Sequence, residues 1–144
     1  MPEALLEVED VHSGYGAGDI LQGVSLSVRK GEIVAVVGRN GVGKTTLMRT
    51  VMGLLPLRAG AINHHGRPVA GLSPQARAKA GFGYVPQGKM IFPFLTVAEN
   101  LKMGERVGGA ARPWDQIFDM FPILRERLGQ QGGTLSGGQQ QALA

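Results

Sequence analysis

Nine residues, Gly38-Arg39-Asn40-Gly41-Val42-Gly43-Lys44-Thr45-Thr46, carry the chemistry most legible in this chain. They fit the pattern G-x-x-x-x-G-K-[ST], a loop that binds phosphate. Gly38, Gly41 and Gly43 let successive backbone N–H groups converge on two phosphates, and the positive end of a following helix points at the same place. Lys44 is positioned to neutralise the outer phosphates, and the Thr45 hydroxyl is a ligand for Mg²⁺. A second glycine turn, Leu135-Ser136-Gly137-Gly138-Gln139, precedes Gln140 to Ala144. If those residues propagate as a helix, Ser136 and the glycine amides sit at its anion-attracting N-terminus, either as a helix cap alone or as a second phosphate contact.

Two single residues join these loops. Tyr15 lies between Gly14 and Gly16, where its ring either packs on the surface of a turn or stacks on a purine base. Gln87 follows Val85-Pro86; its amide both donates and accepts, so it suits a metal ligand, a water-positioning group or a loop brace equally.

Elements must hold these groups in place. Leu5 to Val11 and Val24 to Val28 alternate as strands with one buried face do. Ile33-Val34-Ala35-Val36-Val37 is continuous and largely β-branched, which predicts a parallel strand buried on both faces and running into the glycine loop. From Lys44, the apolar residues Leu47, Met48, Val51, Leu54 and Leu55 predict a helix stopped by Gly53 and Pro56. Ala61 to Asn63 and Pro68-Val69 read as short strands, Pro74 to Ala80 as a short helix, and Phe82 to Val85 as a second buried strand. Beyond Gln87 the pattern turns helical. Thr96-Val97-Ala98-Glu99 has capping-box spacing, and Trp114, Ile117, Phe118 and Phe121 share one helical face after a Gly-rich linker, Gly104 to Gly109.

Composition narrows the class. The chain has 144 residues, 43% hydrophobic and 18% charged, the balance of one globular domain. It has no Cys, so disulfides and thiolate zinc sites are excluded. The longest apolar run, Ile33 to Val37, is far too short to span a membrane, and Met1-Pro2-Glu3-Ala4 lacks signal-peptide character, so a cytoplasmic chain is expected. The net charge of +4 is scattered along the chain, and no nucleic-acid partner is expected. His64-His65 read as solvated turn residues rather than a metal pair, and Met48, Met52 and Trp114 as packing.

The glycine loop followed by Leu135-Ser136-Gly137-Gly138-Gln139 resembles the ATP-binding subunits of ABC transporters, and the resemblance runs over essentially the whole chain. It implies an α/β P-loop NTPase fold with a RecA-like core, an antiparallel β subdomain and a helical subdomain, incomplete at the C-terminus. Residues 1–87 would form the nucleotide-binding core with its β subdomain, 88–135 the helical subdomain, and 136–144 the start of the signature helix. The cofactors implied are ATP and Mg²⁺. Tyr15 becomes the adenine-stacking aromatic, Gly38 to Thr46 the phosphate loop, and Thr45 and Gln87 the Mg²⁺ contacts. Leu135 to Gln139 would cover, in trans, the nucleotide held by a second such subunit.

Gly83-Tyr84-Val85-Pro86-Gln87-Gly88-Lys89-Met90-Ile91-Phe92-Pro93 and Met52-Gly53-Leu54-Leu55-Pro56 look like importers of branched-chain amino acids, with urea and short-amide importers close relatives. Lys89, Phe94 and His64-His65 depart from that pattern. The partners implied are a second ATPase subunit, transmembrane permeases and, indirectly, an extracytoplasmic solute-binding protein, at the inner face of a bacterial plasma membrane. A soluble ABC ATPase of nucleic-acid metabolism and a nucleotide-binding remnant are the alternatives. Family members carry a Walker B Asp and Glu and a switch histidine after the signature helix. These 144 residues contain none of them, so they are expected to bind nucleotide but to hydrolyse it very slowly alone. Apolar strand edges left uncovered are expected to make the isolated chain aggregation-prone or partly unfolded.

Overall fold

The computed structural model describes residues 4–88, 90–105 and 114–144. Met1 to Glu3, Lys89 and the linker after Glu105 lie outside them. Two compact units divide the chain, Met1–Arg77 and Ala78–Ala144.

In the first unit the alternating segments form β1 (Ala4–Ser13) and β2 (Leu21–Arg29). With β3 (Ala59–His64) and β4 (Arg67–Pro68) they make an antiparallel sheet of order β2-β1-β3-β4. A bulge at Asp10, whose φ is +45°, shifts the register of β1. The extra residue reverses the alternation, so that Val8 and Val11 both turn inward. Gly60 faces the bulge with φ +86°; a Cβ there would lie 2.3 Å from the carbonyl oxygens of Glu9 and Asp10. The sheet position therefore admits glycine alone. Helix α1 (Lys44–Val51) buries Leu47 and Val51, and Val8, Val11, Leu21, Ile62 and Val69 are buried in the same unit. The helix stops as its sequence predicts, at Met52 followed by Gly53 with φ +73°. The short helix expected from Pro74 forms as α2 (Pro74–Lys79).

Two predicted strands do not form. Ile33 to Val37 and Phe82 to Val85 take part in no strand ladder among the described residues. Ile33 is 96% exposed and Val37 87%, where burial on both faces was expected. A strand exists only through the neighbours that satisfy its backbone N–H and C=O groups. The four strands of the sheet, in the order β2-β1-β3-β4, include neither segment.

The second unit is helical: α3 (Val97–Glu105), α4 (Trp114–Met120), α5 (Pro122–Glu126), a 3₁₀ turn (Gly132–Thr134) and α6 (Gly137–Leu143). Val97, Phe118, Leu124 and Leu135 form its buried core, with Trp114, Ile117 and Leu101 against them. The Thr96 capping box is present. Thr96 Oγ1 accepts from the Glu99 amide at 3.2 Å, and Glu99 Oε2 accepts from the Thr96 amide at 2.8 Å. The bond from the Thr96 amide, and after it one from the Thr96 hydroxyl to the same Oε2 at 2.8 Å, hold the Glu99 carboxyl below its ordinary pKa. The helix expected from Trp114 to Phe121 ends one residue early, because Pro122 opens α5 and Phe121 becomes its N-cap. Among the described residues no helix is long and apolar enough to cross a membrane.

Candidate nucleotide site

The glycine loop ends where α1 begins. Gly43, in the left-handed region at φ +102°, is the N-cap, and Gly41 has φ +85°. Neither conformation suits a side chain, and at Gly43 a Cβ would also press within 3.1 Å of Leu21. Arg39, Asn40, Gly41 and Val42 are exposed. Lys44 Nζ folds back over the loop and donates to the carbonyl oxygens of Gly38 at 2.6 Å and Arg39 at 2.7 Å. The ammonium is thus held at the mouth of the loop, beside the uncapped first turn of α1, where anions are favoured. Thr45 is exposed and presents its hydroxyl, while Thr46 is buried and anchors the helix. Backbone amides, one cation and one free hydroxyl form a donor set that fits a polyphosphate with a divalent ion.

Tyr15 belongs to the same unit, in the loop from β1 to β2, and is 46% exposed. Its hydroxyl accepts a 2.9 Å bond from Arg49 Nη1, on the last turn of α1. Beneath it, Thr50 Oγ1 lies 2.8 Å from Ser13 Oγ, which donates to Pro56 O at 2.9 Å, so a buried hydroxyl chain ties the end of β1 to α1.

Gln87 and the second glycine turn lie in the other unit. Gln87 sits in an exposed turn. Leu135 is buried in the helical core, and Ser136 caps α6. Ser136 Oγ accepts from the Gln139 amide at 3.4 Å, and Gln139 Oε1 accepts from the Ser136 amide at 3.0 Å. This reciprocal box leaves Gly137 and Gly138 exposed at the start of the helix. His65 stands exposed in the β3–β4 turn with φ +48°, its ring 4.5 Å from that of His64. Burial, with His65 adding to it, lowers the His64 pKa.

Sequence reasoning missed Arg77. It is buried, with Nη1 donating to the carbonyl oxygens of Thr50 (3.0 Å) and Val51 (2.5 Å), Nη2 to Ala70 (3.2 Å) and Nε to Leu72 (3.3 Å). Burial lowers its pKa. A guanidinium stays charged in protein, so it caps the negative end of the helix whose other end carries the glycine loop.

The family model described as ABC transporter matches residues 21–144. The chain is 38% identical over 143 residues to the high-affinity branched-chain amino acid transport ATP-binding protein BraG of Pseudomonas aeruginosa, covering 97% of the chain and 61% of that protein. It is equally similar, with the same coverage, to the probable branched-chain amino acid transport ATP-binding protein LivF of Archaeoglobus fulgidus. The sulfate/thiosulfate import ATP-binding protein CysA 2 of Chromobacterium violaceum is 40% identical over 144 residues, 38% of its own length. A solved ATP-binding subunit of an ABC transporter superposes with a TM-score of 0.84 at 32% identity, over 96% of this chain and 59% of that one. The chain thus spans 61% of the two branched-chain relatives it matches. With the glycine loop, the capped second turn and this likeness together, the chain belongs to the ABC transporter family.

Proposed function

We propose that the chain is the ATP-binding portion of an importer subunit serving branched-chain amino acids. The observation that carries this is Lys44, held over the carbonyl oxygens of Gly38 and Arg39 at the head of α1, in a chain that also caps Leu135-Ser136-Gly137-Gly138-Gln139. In this reading the amides of Gly38 to Thr46 and Lys44 bind the phosphates, Tyr15 stacks on adenine, and Thr45 and Gln87 hold Mg²⁺. Leu135 to Gln139 face a nucleotide on a second subunit. Residues 1–87 serve as core and β subdomain, 88–135 as helical subdomain, and 136–144 open the signature helix.

Partners in this reading are a second ATPase subunit and membrane permeases, with a solute-binding protein acting through them, and the location is peripheral on the inner membrane face. The names of BraG and LivF support the amino-acid cargo. A sulfate/thiosulfate importer at 40% identity supports placing solute selection outside these residues. Exposed Ile33 and Val37 support the expectation that the chain alone associates or is partly unfolded. The test is calorimetric titration of Mg-ATP into the chain and into Lys44→Ala. Loss of a charge-assisted phosphate contact worth about 1.5–3 kcal/mol predicts at least tenfold weaker binding. Equal affinity would remove Lys44 from the site.

A further inference from the structure

The loop that carries Tyr15 is closed by hydrogen bonds from Ile20 N to Ser13 O (2.9 Å) and from Gly18 N to Tyr15 O (3.3 Å). Gly14 is buried, and a Cβ there would lie 2.0 Å from Gly18 O, so the closure is as tight as glycine permits. The outer residues, Gly16, Ala17, Gly18 and Asp19, are exposed and carry almost no side chain with which to pack. What spans them is Arg58, 39 residues from Asp19 and 42 from Gly16 in sequence. Its amide donates to His12 O at 2.9 Å, fixing its root against β1. Its guanidinium fork then donates through Nη1 to Asp19 Oδ1 at 2.5 Å and through Nη2 to Gly16 O at 2.5 Å. One planar group therefore grips both arms of the turn, one residue after Tyr15 and one residue before Ile20. The opposite side of the ring is tied by its hydroxyl to Arg49 Nη1 on α1.

We propose that Arg58 and Asp19, with Arg49, are positioning residues that hold the half-exposed Tyr15 ring ready to receive a base. The inference rests on the reading of Tyr15 as a base-stacking residue and adds what keeps it in place. A Gly-rich loop without the clamp samples many conformations, and the ordering cost falls on the ligand that stacks there; a preformed loop removes that cost. The phosphate loop has its own anchors in Gly43, Lys44 and the buried Thr46. Loosening the clamp thus weakens recognition of the base and leaves recognition of the phosphates intact.

The experiment compares the affinities of the chain for Mg-ATP and for inorganic tripolyphosphate with Mg²⁺, in the parent and in Arg58→Ala, Asp19→Ala and Tyr15→Ala. The ratio of the two affinities reads the base contribution, and a merely structural role for Arg58 would weaken both ligands alike. The expected result is a fall in the ratio of about tenfold for Arg58→Ala, less for Asp19→Ala, and at least as much for Tyr15→Ala. Asp19→Ala removes only a surface carboxylate and carries the comparison if Arg58→Ala does not fold. An unchanged ratio in the clamp variants beside a reduced one in Tyr15→Ala overturns the clamp alone. An unchanged ratio in Tyr15→Ala overturns the base-stacking reading, and the clamp's role falls with it.

Discussion

Replacing Arg77 by Met keeps most of the buried volume and removes the guanidinium donors at the C-terminal end of α1, leaving the backbone caps from Met52, Gly53 and Leu54 in place. Two of the four bonds, from Nη1 to Thr50 O and Val51 O, are at 3.0 and 2.5 Å; those to Ala70 O and Leu72 O are longer, at 3.2 and 3.3 Å. Counting only the two shorter bonds, at about 1.5 kcal/mol each for a charged donor, gives about 3 kcal/mol. Loss of a cation from the helix C-terminus in a buried setting adds about 1 kcal/mol. The total of about 4 kcal/mol is at the top of the range for single substitutions, where a broken buried network belongs. Amide hydrogen exchange of residues 44–51 measures it locally, without requiring global two-state unfolding. At 1.36 kcal/mol per decade, protection in α1 is expected to fall by up to about a thousandfold, limited by the stability of the whole unit. Arg77→Lys, with a single ammonium, is expected to retain part of it. A change of less than threefold in Arg77→Met would refute the capping argument.

The Glu99 cap predicts a pH dependence. Because its folded pKa is depressed, its contribution is complete above the ordinary value of 4.5 and is lost as pH falls through the lower folded value. Glu99→Gln is expected to flatten that acid limb in a urea-denaturation series, and an unaltered limb would place the loss elsewhere. Gly60→Ala forces a methyl into two carbonyl oxygens at positive φ and is expected to cost about 3 kcal/mol; Gly66→Ala, with φ +67° and nothing within 4 Å, is expected to cost about 1 kcal/mol. Equal losses in thermal denaturation would show that the bulge does not constrain Gly60.

What the sequence made legible was local. The glycine loop, the Thr96 capping box, the Ser136 helix cap and the stop of α1 at Gly53 depend on residues within one or two turns of each other. Spacing alone therefore located them. The alternation of β1 and β2 was likewise visible, but the bulge at Asp10 was not, since it is fixed by the approach of Gly60 across the sheet. Ile33 to Val37 and Phe82 to Val85 show the converse: β-branched and aromatic residues favour a half-buried strand surface, while pairing depends on a neighbour elsewhere. Arg77 and the Arg58 clamp join residues 26 and 39 or more positions apart, and no short-range pattern announces either.

The central claim is that main-chain amides from Gly38 to Thr46 grip a nucleotide's phosphates. Its most direct test is an amide-resolved NMR titration of the ¹⁵N-labelled chain with Mg-ATP. Shifts that saturate at Gly41, Gly43, Lys44 and Thr45, and are reproduced by tripolyphosphate, are the expected result. Shifts absent from those four amides at nucleotide concentrations that perturb the rest of the chain would contradict it.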